Sequence, residues 1–235
     1  MMGRTHALGG VAGLAAIAVV TGQTAHVPIW AYGWAALCAI LPDADANDSA
    51  MVDQPRFLPI KLLTMPLWIG HPSHRKRTHS LIGATLFALL VAGWLLLFNA
   101  GTAASGHPAN LPLLLIVAAG TVGYLSHILL DIINLPGVWL FWPLPLWIMF
   151  PPWRAHKIGP LPIPGRFAVQ TGWESLLWII LSLFCGWFFL EHAGLIFNAT
   201  RVDGTLFSLL KGLVGLAVDG IRALLNLLGS GTKAA

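Results

Sequence analysis

Eight residues of this chain pair ligand chemistry with positions that solubility does not explain: His6, Asp43, Asp45, His74, His79, His127, Asp131 and Glu174. Imidazole nitrogens mixed with carboxylate oxygens are the donor set of zinc first, and of manganese or iron, and this many of each supports a site of two or more ions. His127 and Asp131 are four residues apart in an apolar run, so on a helix both project from one face. Ionisable groups in a membrane segment cost roughly 2.5 to 3.5 kcal/mol each even on the lenient insertion scale, so this pair reads as functional rather than as packing. Asp43 and Asp45 follow Leu41-Pro42, where the proline stops a helix and an extended i, i+2 pair aims both carboxylates one way. Taken alone they would more often be a solvated loop or a cap. Thr78 or Ser80 can cap a helix opening near residue 79, which sets His79 beside backbone amides that also attract an anion. Arg75, Lys76 and Arg77 stand next to it, a natural seat for a phosphate, although three basic residues by themselves are more often a membrane anchor. Glu174 is equally suited to capping the helix it opens, and His6, near a terminus, carries little weight alone. His26, His71, His107, His156 and His192 read as loop or interfacial residues.

The elements that must position these residues are membrane helices. With 57% hydrophobic and 9% charged residues and a mean hydropathy of +0.76, the chain cannot build a water-facing surface. A soluble domain and a nucleic-acid-binding tail are both excluded. Cys38 and Cys185 lie in apolar stretches and read as small core residues. The runs at 7–22 and 28–41 are short for spans, which want about 20 residues, and predict a tilted hairpin packed through small residues. A signal peptide is the weaker reading of the first, because its cleavage site is poor. Segment 57–69, with Pro59 and Pro66, predicts an interfacial stretch, and 138–150, with prolines in or beside it, a broken or re-entrant one. Residues 81–98, 111–130 and 173–190 predict spans. Residues 206–228, which carry Lys211, Asp219 and Arg222, predict a weaker helix, at the surface or across the bilayer. The expectation is an all-α, polytopic integral membrane protein of about five to six membrane helices with interfacial or re-entrant segments. It forms one domain over 1–235, with site motifs between 5 and 174 and C-terminal helices at 173–228.

If six segments alternate sides with the N-terminus in the cytoplasm, 11 of the 13 Lys and Arg residues fall on that side, leaving only Arg201 and Lys211. The positive-inside rule then places both termini in the cytoplasm, and all eight donors at cytoplasmic helix ends.

Four strings in this order, Thr5-His6 with Gly9-Gly10, Leu41-Pro42-Asp43-x-Asp45, His74-Arg75-x-x-Thr78-His79-Ser80 and Gly123-Tyr124-x-Ser126-His127-x-x-x-Asp131, resemble the YdjM-like family of membrane-bound metal-dependent hydrolases. Trp142-Pro143 and Glu174 resemble its downstream elements more loosely. The resemblance implies a bacterial or archaeal inner-membrane protein whose eight histidines and carboxylates build a site for one or more divalent ions, and a hydrolase activity. It implies no substrate, and nothing after residue 190 matches a motif. On the residues themselves, a phosphoester or lipid-linked substrate met at the membrane surface fits best, with Arg75, Asp45 and Thr78 as the catalytic residues beside the ions. The competing classes are a metal-binding membrane scaffold and, further behind, a metal or proton transporter, which would need ionisable groups near the bilayer midplane.

Overall fold

The computed structural model describes residues 3–45, 77–133, 138–143 and 172–231. Six helices carry it: α1 Gly3–Val20, α2 Ile29–Cys38, α3 Leu81–Ala104, α4 Leu113–Ile132, α5 Gly172–Asp203 and α6 Thr205–Gly231, with 3-10 turns at Thr24–His26 and Leu41–Asp45. No strand occurs among the described residues. Among the described residues, four helical stretches are long and apolar enough to cross a membrane, Gly3–Val20, Leu81–Ala104, Leu113–Ile132 and Glu174–Thr200. The all-α membrane architecture, with about five to six helices, is therefore as expected. The other two helices are α2, ten residues where a span wants about 20, and α6, whose apolar sequence is broken by Lys211, Asp219 and Arg222. The interfacial segment expected at 57–69 lies outside the described residues, as does 144–150 of the re-entrant one.

The short α2 is held between α1 and α4 by glycines. A methyl group added at Gly10 of α1 or at Gly123 of α4 would collide with the same carbonyl, that of Ala35 in α2. Small residues are what lets membrane helices approach this closely, since lipid offers no hydrophobic drive for packing one apolar helix on another. The chain thus passes α2 at backbone contact with both neighbours, and the turn that follows, Leu41–Asp45, emerges at the end of α4.

Two hydrogen bonds set α5 along the full depth of this hairpin. At one end Thr5 Oγ1 donates to Glu174 Oε1 at 3.1 Å, and at the other the Ile29 amide donates to Thr200 Oγ1 at 2.8 Å. Tyr32 and Phe188 are buried with Leu14, Ala18 and Ile196 in one half of the core, while Phe87 stacks on Tyr124 at 4.8 Å in the other. Ser80 caps α3, accepting from the Gly83 amide at 3.0 Å, so of the two candidate caps the serine is the one used. Residues 138–143 return to this cap: the Leu81 amide donates to the Leu140 carbonyl at 2.9 Å, and Val138 is buried in the core. The last helix, α6, meets the bundle at the far end, where Gly212 packs on Phe98, Thr102 and Ala109, and Gly215 on His107.

Candidate metal centre

Five polar side chains from four places in the chain converge in the end of the bundle where α1 and α3 begin and α4 stops. His127 and Asp131 come from one face of α4, as their spacing required. His79 enters from the residue before the Ser80 cap, Asp43 from the turn after α2, and His6 from the first turns of α1. His6, His79, His127 and Asp131 are fully buried, and the Asp43 side chain is 18% exposed, which makes it the centre's one contact with the outside among these five.

The donor atoms form a compact polyhedron. His79 Nε2 and His127 Nε2 are 3.1 Å apart. Asp43 Oδ1 stands 3.3 Å from the first and 3.5 Å from the second, and Asp131 Oδ2 is 3.5 Å and 3.8 Å from the same two. All four donors lie within 4.8 Å of one another. A tetrahedral zinc with ligands at ~2.0–2.1 Å sets its donors about 3.3 Å apart, so the observed edges surround a volume of the right size for such an ion. The donor chemistry fits as well. Two carboxylates buried together would cost several kcal/mol each without a cation between them, and imidazole with carboxylate is a zinc, manganese or iron set.

The far side of each imidazole is held by a group that aims Nε2 inward. His127 Nδ1 is 2.7 Å from the Ala39 carbonyl, which fixes the proton on Nδ1 and leaves the Nε2 lone pair for the centre. Ala39 is the C-cap of α2, so its carbonyl is one of those a helix end leaves over. His79 Nδ1 lies 3.0 Å from Thr78 Oγ1, and the Thr78 carbonyl accepts from Tyr124 OH at 2.6 Å. These supports escaped the sequence reading. Tyr124 had a usable signal, as one of only two tyrosines, three residues before His127 on the same helix. The Ala39 carbonyl had none, because a backbone acceptor is invisible in residue type.

Burial pushes the Asp43 carboxyl up, but His127 and then His79 beside it win and hold it well below the usual carboxylate range. The carboxylate is thus the form this pocket favours, which is the form a metal needs.

Of the eight expected ligands, then, Asp43, His79, His127 and Asp131 form the four-donor group. His6 reaches it from one side, its Nε2 3.4 Å from Asp131 Oδ1 and its ring stacked on His127 at 3.7 Å. Glu174 is buried at the start of α5, accepting from Thr5, the neighbour of His6, and is outside the four-donor group. Asp45 ends the turn that carries Asp43, and its side chain lies outside the described set. His74 and Arg75 lie outside the described residues. Thr78, expected among the catalytic residues, contacts His79 from behind.

The family model described as YdjM inner membrane protein matches residues 1–196. The chain belongs to the YdjM family. The matched span takes in every residue of the centre and stops before α6. No curated protein and no solved structure matches the chain. What YdjM membership adds to the geometry is the inner membrane, in keeping with four apolar helices of spanning length and a bilayer as the surrounding partner.

Proposed function

We propose that this YdjM protein is a membrane-bound metal-dependent hydrolase acting on a phosphoester or lipid-linked substrate at the cytoplasmic membrane surface. The observation that carries the reading is the closure of His79, His127, Asp43 and Asp131 on a volume of tetrahedral-ion size, each imidazole aimed by a hydrogen bond on its far side. A divalent ion bound there, zinc in the first place, acts as a Lewis acid and lowers the pKa of water from 15.7 toward ~7. Asp43, the partly exposed member, stands where a substrate entering from the membrane surface first meets the site. Arg75, with Lys76 and Arg77 beside it, lies in the same sequence motif as His79, four residues before it, and supplies cations for an anionic group. The basic residues flanking the site in sequence support a cytoplasmic position for this end of the bundle.

One observation favours a second reading, a metal-binding membrane scaffold. Four protein donors complete a tetrahedral ion, and structural sites are closed in this way, whereas catalytic ones keep a position open. A panel of phosphoesters offered to the zinc-loaded, detergent-purified protein separates the two. Turnover that disappears in His127→Ala supports the hydrolase. Loaded, folded protein inert across the panel supports the scaffold.

A further inference from the structure

Among the buried imidazoles of the centre, His6 stands apart. His79 and His127 each pair Nδ1 with a neighbour, while among the described residues neither ring nitrogen of the fully buried His6 has a hydrogen-bond partner. A buried polar group left unmade costs about 1–3 kcal/mol, so a histidine kept in this condition needs a ligand to explain it. Asp131 Oδ1 lies 3.4 Å from His6 Nε2. That is longer than the about 2.7–2.9 Å of a charge-assisted hydrogen bond. The separation falls among the edges of the four-donor group that involve a histidine, which run from 3.1 to 3.8 Å.

The two oxygens of Asp131 also divide their work. Oδ2 is the one near His79 and His127, and Oδ1 is the one near His6. A carboxylate with its oxygens turned to different nitrogen donors has the arrangement that bridges two cations, which in binuclear sites sit about 3.5–4 Å apart. The stacking of His6 on His127, with rings 19° from parallel, fixes the first imidazole beside the second, so that both present Nε2 to the same carboxylate.

We propose a second cation position next to the first, held by His6 Nε2 and Asp131 Oδ1, with Asp131 bridging. The proposal rests on the metal-centre reading above and deepens it. The first position is closed by four protein donors, whereas the second has two from the described residues and so leaves coordination free for an anionic oxygen of a substrate. It also resolves the objection that a closed site suits a scaffold.

The test counts ions. The full-length protein, purified in detergent and stripped by chelator, is reloaded with zinc, passed over a desalting column and analysed for zinc per chain. A parallel sample is loaded with manganese and examined by electron paramagnetic resonance for exchange coupling between adjacent ions. Wild type should hold two zinc ions and give a coupled manganese signal. His6→Ala should hold one and give an uncoupled signal. His6→Phe, which keeps a ring to stack on His127 while removing both nitrogens, should behave as His6→Ala does and guards against loss through misfolding. One zinc ion in wild type and in both variants would overturn the second position and leave the first standing. Two ions in every protein would place the second elsewhere and equally overturn it. No zinc in wild type would remove the metal-centre reading itself.

Discussion

Replacing Asp131 with asparagine should change the sign of its effect on stability according to whether metal is present. Asp43 and Asp131 offer the centre two carboxylate oxygens no more than 4.8 Å apart. Two unit charges at that distance repel by about 3.5 kcal/mol at an effective dielectric of about 20. The partial exposure of Asp43 screens part of this, so in the metal-free protein Asp131→Asn should stabilise that state by about 1–2 kcal/mol. That corresponds to a rise of about 2–8 °C at roughly 2–4 °C per kcal/mol for a chain of this size. With zinc the order reverses. A ligand at 100 times its Kd stabilises wild type by about 2.7 kcal/mol, or about 5–11 °C on the same scale, and the variant, lacking the carboxylate shared by both positions, should gain little. The protein carries its own probe, because Cys38 and Cys185 are both free and buried and become accessible to a thiol-reactive fluorophore only on unfolding. Melting curves of wild type and variant, each with chelator and with zinc, give four Tm values. A variant that is less stable than wild type by the same amount in both states, with its zinc response intact, would show Asp131 to be a structural hydrogen-bonding residue and would refute the reasoning.

His127→Ala should lose bound metal while inserting normally into membranes, and His107→Ala, whose ring packs against Gly215 at the opposite end, should leave metal content unchanged; elemental analysis of the two preparations decides. Gly123→Ala should lower metal content without touching a ligand, because its methyl displaces the Ala35 backbone and with it the Ala39 carbonyl that aims His127; overpacking of this kind costs about 1–3 kcal/mol, and metal analysis beside a melting curve checks it. Acidification should release the metal, since imidazole and carboxylate donors must shed their protons to bind it, so affinity measured by competition with a chelator should fall steadily from pH 7 to pH 5. Reporters fused after residues 60 and 160 should be cytoplasmic, and one near residue 104 external. A reporter at residue 235 should join the one at 104, against the even alternation expected from the sequence, because α6 starts at that end, meets the bundle there and nowhere else among the described residues, and carries Lys211 and Arg222 on one side with exposed Leu213, Val214 and Ile221 on the other, the pattern of a helix lying in the interface.

The parts of the site that follow from helix geometry were legible in the sequence. His127 and Asp131 share a face because any helix brings i and i+4 together, and Asp43 leaves α2 where Pro42 makes a regular helix unfavourable. The helical class was equally open to reading, since a chain with so few charges has no alternative solvent to water except lipid. The closure of the four donors was not legible, because it depends on how deeply α2 sinks between its neighbours, and that depth is set by Gly10 and Gly123 meeting the Ala35 carbonyl from two sides. Neither glycine carries chemistry of its own. His6 illustrates the same limit. Near a terminus it looked weak, yet α1 is anchored at its very start by Thr5 and Glu174, which turns a residue expected to fray into a buried one. The length of α2 was hidden in the same way: the 14-residue apolar run 28–41 holds a ten-residue helix and the start of the turn that delivers Asp43.

X-ray absorption at the zinc edge of the loaded, purified protein tests the central claim most directly. The account predicts nitrogen and oxygen neighbours alone, at ~2.0–2.1 Å, with the outer scattering of imidazole rings that falls in His127→Ala. Sulfur neighbours at ~2.3 Å, which would assign the metal to Cys38 or Cys185, or a spectrum unchanged by His127→Ala, would contradict it.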